Sequence, residues 1–438
     1  MRLTVEDLLS LVARGELMIT NAARASGEPR CAWDSSGLTL SSPTCAEVSN
    51  PLLLIDIGGT HTKVAMARND NFKLLFDHPN EFFRGETASS EAALLTFVRT
   101  LFRLISEVAP ELTDSSIPVR IGVIWSNQIS TAPLASSHLV GTSGLVKGFN
   151  SGGYGKGEWF LTGLHDGYDI GADFVSAILN SKITSNLFII SNDTIFTLFA
   201  HPGSHAGVVV SSGANCTLVG DDDHTIYNSE LGGMLTISAS LLTEGDRLFA
   251  QKKGSTELVI EELCAGAWMR DLCLSHIESL TSVERDSPLA QISTAIKGGA
   301  LSYSNATLSK LLREDPAIPS ECIDLSQAAR TALSELVGAL MYRAGAFAAV
   351  LTYLSVSNQI RQGNLAPVIS LDSSMARHFP GFYLSVKQHL HCLMPGGATH
   401  SLNLIEPVKL DSHADIPVPM IGLARALRSF RVRTDTKR

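Results

Sequence analysis

Several common chemistries lack their signature in this chain. There is no G-x-x-x-x-G-K-S/T phosphate loop, because Gly155-Lys156 is followed by Gly157. No H-E-x-x-H spacing supports a zinc peptidase, and no G-x-S-x-G supports a hydrolase elbow. The Gly153-x-Gly155-x-Gly157 run follows no buried strand, so it is not a dinucleotide fingerprint. Cysteine is sparse: seven residues, an odd number, scattered and without C-x-x-C. That argues against a disulfide framework or a zinc cluster and for reduced, mostly buried thiols in a cytoplasmic protein. Charged residues make up only 18%, with a formal net charge of -9, which disfavours a nucleic-acid partner. A small anion is another matter, since backbone donors and a metal bind phosphate even in an acidic protein. Long apolar runs are few. The most apolar, Leu336 to Leu354, carries Arg343 at its middle and small residues at Gly338 and Gly345, and reads as a buried helix rather than a membrane span. The first residues carry Glu6, Asp7 and Glu16 among apolar neighbours, the pattern of an amphipathic helix and not of a signal peptide.

What is present suits an enzyme with a sizeable core: 438 residues, 45% apolar, enough for two or three domains or two large lobes. After the first helix and a Ser/Pro/Gly-rich connector, Leu52 to Ile57 is a short, nearly continuous apolar run typical of a buried strand. Gly58-Gly59 breaks it and Thr62 to Met66 resumes it, a strand-turn-strand hairpin. Glu91 to Val108 reads as a helix and Val119 to Trp125 as a strand, while the glycine-rich segment 141–165 reads as loop. Leu187 to Ile190 is a buried strand that delivers Ser191-Asn192-Asp193-Thr194 to its end, with a helix expected next. A second hairpin follows: Gly207 to Val210, a turn over Ser211 to Asn215, and a return over Cys216 to Val219. Residues 240–360 are mostly helical by period, Val368 to Leu371 is a late strand, and Ile421 to Phe430 is a closing helix. Two hairpins of one design suggest an internal duplication of an α/β lobe.

The first turn, Asp56-Ile57-Gly58-Gly59-Thr60, has the chemistry to grip a phosphate. Glycines remove Cβ atoms and permit positive φ, so backbone N–H groups can wrap an anion. Thr60 adds a hydroxyl, Lys63 adds charge, and Asp56 can hold magnesium through its waters. An ordinary Gly-Gly hairpin has the same pattern. The second turn, with Ser212 and Gly213, and the strand end Asp372-Ser373-Ser374 can serve neighbouring parts of a nucleotide, and the combination is more specific than any one of them. Asp193, at the end of a buried strand, could take a proton from an attacking hydroxyl, although the residue type alone favours a cap for the following helix. Glu230 and Glu261 can accept hydrogen bonds from sugar hydroxyls or lie on a solvated surface, and Lys147 can be a plain loop lysine.

Taken in order, these motifs resemble the hexokinase family of the actin-like ATPase superfamily, from about Leu52 to Leu427. Residues 55–63 resemble L-D-L-G-G-T-N-F-R; 122–126 the sugar loop G-F-T-F-S; 146–149 T-K-G-F; and 191–194 V-N-D-T. Residues 211–215 resemble G-T-G-S-N, 228–232 N-M-E-W-G, 260–266 F-E-K-M-I-S-G, and 371–374 V-D-G-S. The cysteine-rich zinc signature of the ROK sugar kinases is missing. The resemblance implies an α/β, two-lobed actin-like ATPase (ribonuclease H-like) fold with a deep interlobe cleft. The small lobe is expected over 51–191 plus 415–438, and the large lobe over 1–50 plus 192–414. It implies a cytoplasmic, ATP-dependent hexokinase, monomer or homodimer, acting on the 6-hydroxyl of a hexose, with Mg2+ as cofactor and no membrane or nucleic-acid partner. Asp193 becomes the catalytic base. Ser126, Lys147, Asn192, Asn215, Glu230 and Glu261 become sugar contacts. Asp56, Gly58, Gly59, Thr60, Lys63, Ser212, Gly213, Asp372, Ser373 and Ser374 become nucleotide contacts, Asp56 also reaching the metal through water. The chain departs from the family's pattern at His61 (Asn), Lys63 (Arg), Val146 (Thr), Ser211 (Gly) and Ser373 (Gly). Lysine at 63 keeps the charge and loses the bidentate fork.

Overall fold

A computed structural model describes residues 3–24, 50–59, 61–68, 71–83, 90–113, 117–136, 138–146, 164–219, 226–284, 287–297, 304–312, 325–364, 366–394, 403–405 and 416–429. The chain divides into two compact units. One takes Ala32–Gly207, Thr217–Ser229 and Val408–Arg438; the other takes Met1–Cys31, Val208–Cys216 and Glu230–Pro407.

The first unit is built on a seven-stranded sheet. Its strands are β1 (Leu52–Ile57), β2 (His61–Arg68), β3 (Asn71–Pro79), β4 (Val119–Trp125), β5 (Ile129–Pro133), β6 (Val140–Val146) and β7 (Ser185–Ser191), in the order β3-β2-β1-β4-β7-β6-β5. Strands β1, β4 and β7 run parallel, with Asp56 level with Ile124, and Ile124 level with Ser191. Side chains alternate along a strand, and β1 is covered on both sides. Leu53, Ile55 and Ile57 join Val64 against Phe97, Leu101 and Phe102 of the helix Ser90–Val108. Leu52 and Leu54 join Ala65 and Ala67 against Ile195 and Phe196 of the helix Asp193–Phe199, and against Met420 and Leu423 of the helix Val418–Ser429. This double burial is why β1 is apolar at every position but Asp56.

The glycine-rich segment starts as a strand and not as a loop. Residues 140–146 form β6, paired antiparallel with β5 and parallel with β7, and these partners override the weak strand preference of Gly141 and Gly144. The closing helix begins three residues before its expected start, with Pro419 in its first turn, where a missing N–H costs nothing.

A second sheet has five strands, β8 (Ala206–Val210), β9 (Ala214–Val219), β10 (Ile226–Asn228), β11 (Val368–Asp372) and β12 (Asn403–Ile405). Their order, β10-β9-β8-β11-β12, repeats that of β3-β2-β1-β4-β7 in the first sheet: third, second, first, fourth, fifth. The duplication suggested by two hairpins is thus present in the topology.

The second unit is mainly helical around Gln327–Arg361, 35 residues long. By length and composition this helix is apolar enough to cross a membrane, yet 78% of its most apolar window is buried inside the protein. Its central Arg343 is buried and grips Asp246 with two prongs, Nη1 to Oδ1 at 2.8 Å and Nη2 to Oδ2 at 2.7 Å. His276 Nε2 lies 3.1 Å from the same carboxylate, and the Thr243 N–H donates to it at 2.7 Å. Burial alone pushes the Asp246 carboxyl up, but hydrogen bonds from His276 and Arg343 outweigh it and hold the group well below the usual carboxylate range.

Candidate active site

In the seven-stranded unit the predicted residues gather at the carboxyl ends of β1, β4 and β7, where open α/β sheets place their ligands. The first turn is closed by the Gly58 N–H, which donates to the His61 carbonyl at 2.9 Å. Gly58 does not use positive φ. A Cβ there comes 3.3 Å from the His61 oxygen, so close approach is what glycine supplies at this position. Asn80, buried at 2% exposure, ties the turn from below: it accepts from the Thr62 hydroxyl at 2.8 Å and donates to the Gly58 carbonyl at 3.0 Å. Half-buried Asp56 stands opposite Lys63, and Lys63 stands opposite Asp77, so three alternating charges cross β1, β2 and β3 on one face. Lys63 Nζ is 3.7 Å from Asp77 Oδ2, and both side chains are about one-third exposed or more, a pairing of small energetic weight.

Next to this turn, the Ser126 N–H donates to the Ile57 carbonyl at 3.2 Å. The Asn192 amide donates to the carbonyls of Trp125 at 3.2 Å and Asn127 at 3.4 Å. Its oxygen accepts from the N–H and hydroxyl of Thr194 at 3.0 and 2.9 Å. Asn192 is therefore the N-cap of the helix Asp193–Phe199, which removes that role from Asp193. Asp193 is the first helical residue and half-buried. The Thr194 hydroxyl also meets Asn228 Oδ1 at 2.9 Å, joining this helix to the end of β10. The helix is set by two backbone approaches. A Cβ at Gly207 falls 2.3 Å from the Thr194 carbonyl, and one at Gly422 falls 1.7 Å from that of Phe196.

The second unit assembles the other set around the turn Ser211–Gly213. Its Ser211 N–H donates to the Gly213 carbonyl at 2.8 Å, and the Ser211 and Ser212 carbonyls accept from the N–H groups of Gly266 and Ala267 at 2.7 and 3.3 Å. The late strand end is bonded to the same turn: the Ser374 N–H donates to Ser211 Oγ at 3.1 Å, and the Ser373 hydroxyl donates to the Val210 carbonyl at 2.7 Å. Asp372 is nearly buried and accepts from Arg377 Nη1 at 2.8 Å. Glu261 Oε2 accepts from the Ala214 N–H at 3.0 Å, and Asn215 Oδ1 accepts from the Cys216 N–H at 2.8 Å. Glu230 has φ 51 and ψ 16, the one non-glycine residue at positive φ among those described. That left-handed conformation costs roughly 1–2 kcal/mol for an L residue, and such strain gathers at functional positions. Ser212, Gly213, Asn215, Glu230, Glu261, Asp372, Ser373 and Ser374 thus fall in this unit, and Asp56, Gly58, Gly59, Lys63, Ser126, Asn192 and Asp193 in the other. Thr60 and Lys147 lie outside the described residues. Among the described residues no group of three or more His, Cys, Asp or Glu is placed to hold a metal ion.

Cys216, Cys264 and Cys273 are buried free thiols, as the sequence suggested, and Cys392 is exposed. Burial, and then the charge of Glu261, push the Cys264 thiol well up; burial pushes Cys273 up to about 12. Iodoacetamide near pH ~8, where an ordinary thiol is partly ionised, is expected to alkylate Cys392 and leave Cys264 and Cys273 unmodified, as read by peptide mass spectrometry.

A parallel β1-β4-β7 core flanked by an antiparallel hairpin, with its strand order repeated in a second sheet, defines an α/β protein of the actin-like ATPase (ribonuclease H-like) class. Within that class the chain has the fold of the hexokinases. It superimposes on a crystal structure of a hexokinase with a TM-score of 0.68 at 16% identity, covering 97% of each chain. It also superimposes on a hexokinase from Schistosoma mansoni complexed with glucose, with a TM-score of 0.69 at 13% identity, covering 98% of this chain and 96% of that one. No protein-family model matches the chain, and no curated protein matches it.

The sequence reading missed Asn80, Asp77 and Asn228 as parts of these networks. Thr194 and Asn228 sat inside quoted motifs, whereas nothing near Asn80 marks it.

Proposed function

We propose that the chain is a sugar kinase that transfers the γ-phosphoryl group of ATP to the 6-hydroxyl of a hexose, with glucose as the first candidate. The observation that carries this reading is the cluster at the ends of three adjacent parallel strands: the Asp56–Gly58 turn, Ser126, and Asn192-Asp193, joined by hydrogen bonds from Asn80 to Gly58, from Ser126 to Ile57 and from Asn192 to Trp125. The Schistosoma hexokinase of similar fold binds glucose, which supports testing that sugar first.

In this reading Asp193 accepts the proton of the attacking hydroxyl. With Asn192 supplying the helix cap, the Asp193 carboxylate is not needed for that purpose. Proton acceptance comes late, because phosphoryl transfer passes through a loose transition state; positioning and charge neutralisation supply most of the acceleration. Ser126, Asn192, Asn215, Glu230 and Glu261 orient the sugar, with Lys147 added by the resemblance. One oxygen of Glu261 holds the Ala214 N–H, and a carboxylate has further acceptor sites for a hydroxyl. Gly59, Ser212 and Gly213 supply backbone donors to phosphate, Gly58 holds the first turn closed through His61, Lys63 adds charge, Thr60 is added by the resemblance, and Asp372, Ser373 and Ser374 serve the nucleoside. Asp56 is the residue to hold Mg2+ through water; a single half-buried carboxylate fits an ion that takes one or two protein carboxylates and otherwise keeps phosphate and water ligands. When bound, magnesium neutralises phosphate charge.

A coupled assay of ADP release, with ATP and magnesium across glucose, mannose, fructose and amino sugars, tests the proposal. ADP is expected with at least one hexose, glucose foremost. Glucose binding by calorimetry with no ADP from any sugar would instead identify a non-catalytic sensor.

A further inference from the structure

We infer that Asn80 is a positioning residue for the first phosphate-gripping turn, an inference that rests on the nucleotide role proposed for that turn. Asn80 opens the short helical turn Asn80–Phe83 directly after β3, so it belongs to neither strand of the hairpin. It reaches both sides of that hairpin. Its oxygen accepts from Thr62, the second residue of β2, and its amide donates to the carbonyl of Gly58, the first residue after β1. Thr62 is fully buried and Asn80 is 2% exposed. A buried carboxamide pays a desolvation penalty unless its bonds are made, so both of these bonds are held.

The geometry has a direct consequence for the turn. The Gly58 carbonyl is pulled toward Asn80, while the Gly58 N–H is committed to His61. With both polar groups of Gly58 engaged, its peptide planes are fixed, and so is the direction in which the next peptide presents its N–H. A turn that binds phosphate through backbone donors gains affinity when those donors are already aimed. The chain carries a matching change at residue 62. At the position where the L-D-L-G-G-T-N-F-R pattern has phenylalanine, this chain has Thr62, whose hydroxyl is what Asn80 accepts. Threonine and asparagine thus form a polar pair here, which a phenylalanine at residue 62 could not make because it has no hydroxyl to donate.

Asn80 touches neither phosphate nor sugar in this account; it acts through Gly58. The test compares wild type with Asn80→Ala and Thr62→Val, using calorimetric binding of ATP-magnesium and of glucose separately, and steady-state KM for ATP where ADP is released. Asn80→Ala is expected to weaken ATP binding by about tenfold, the scale of one lost hydrogen bond, with glucose affinity changed less than ~2-fold, inside the usual spread for an uninvolved site. Thr62→Val leaves the Gly58 bond in place and should weaken ATP by less than Asn80→Ala. Asn80→Ser, which retains a donor and acceptor on a shorter side chain, covers the case in which the alanine variant fails to fold. It should weaken ATP to an intermediate degree, with a smaller loss of melting temperature than Asn80→Ala. A folded Asn80→Ala or Asn80→Ser protein with wild-type ATP affinity, or with ATP and glucose weakened equally, overturns the inference alone. A wild-type chain that binds no ATP overturns the reading of the turn itself, and this inference with it.

Discussion

Asp193→Ala is expected to lose at least ~100-fold in turnover with hexose and ATP, the usual scale for a general base, while the protein stays folded and still binds sugar. The structure explains why the two effects should separate. The helix Asp193–Phe199 is capped by Asn192, whose oxygen takes the Thr194 N–H and hydroxyl. Its seating depends on the Gly207 and Gly422 approaches and on the Thr194–Asn228 contact. Asp193 is the first helical residue and half-buried, and the N-cap position before it belongs to Asn192. Circular dichroism and calorimetric glucose binding are the controls. Asn192→Ala provides the contrast: it removes a cap, costing roughly 1 kcal/mol, and also frees the Trp125 carbonyl, so it should lower both melting temperature and activity. A folded Asp193→Ala enzyme with wild-type turnover would falsify the base assignment.

The second large effect is one of stability. Arg343→Met is expected to destabilise the second unit by ~3–5 kcal/mol, because it leaves the fully buried Asp246 carboxylate without its main cation. The loss should be read as an earlier unfolding transition in urea, followed by a probe in that unit, since two units need not unfold as one. The pH dependence has a definite sign. Asp246 is held below the ordinary carboxylate range, so its contribution is complete above pH ~4, the value of an unfolded aspartate, and fades as pH falls below it. The gap between wild type and Arg343→Met should therefore be full at neutral pH and shrink in acid. A gap that grows in acid, or a neutral-pH difference below ~1 kcal/mol, the range of an exposed pair, would show that Arg343 does not carry this role.

How much of this was legible from the residues depends on how local each signal is. The β1–β2 and β8–β9 hairpins were readable because a continuous apolar run, a glycine or serine turn and a second run sit within one window. β3 was not, since Asn71–Pro79 shows no clean alternation and most of its side chains are only partly buried at the sheet edge. Residues 141–146, glycine-rich and expected as loop, form a strand because pairing partners, not composition, decide it. Asp193 was located by sequence, but which residue caps its helix was not, because Asn and Asp are interchangeable in that preference. The Asp246–Arg343 pair is separated by 97 residues, and no local pattern announces such a contact. For the same reason Asn80 and Thr62, 18 residues apart, look like unremarkable polar positions until the hairpin and the turn after β3 are folded together.

The covering of β1 on its second face has a consequence for how the chain is made. Leu52 and Leu54 are made long before Met420 and Leu423, which close over them. At roughly 5–20 residues per second, that apolar strand waits tens of seconds for its partner helix. During this interval Ile195 and Phe196 cover that face, and the part reserved for Met420 and Leu423 stays open. Chains cut short before Val418 are therefore expected to collect in the insoluble fraction, as read by centrifuging lysates beside the longer chain.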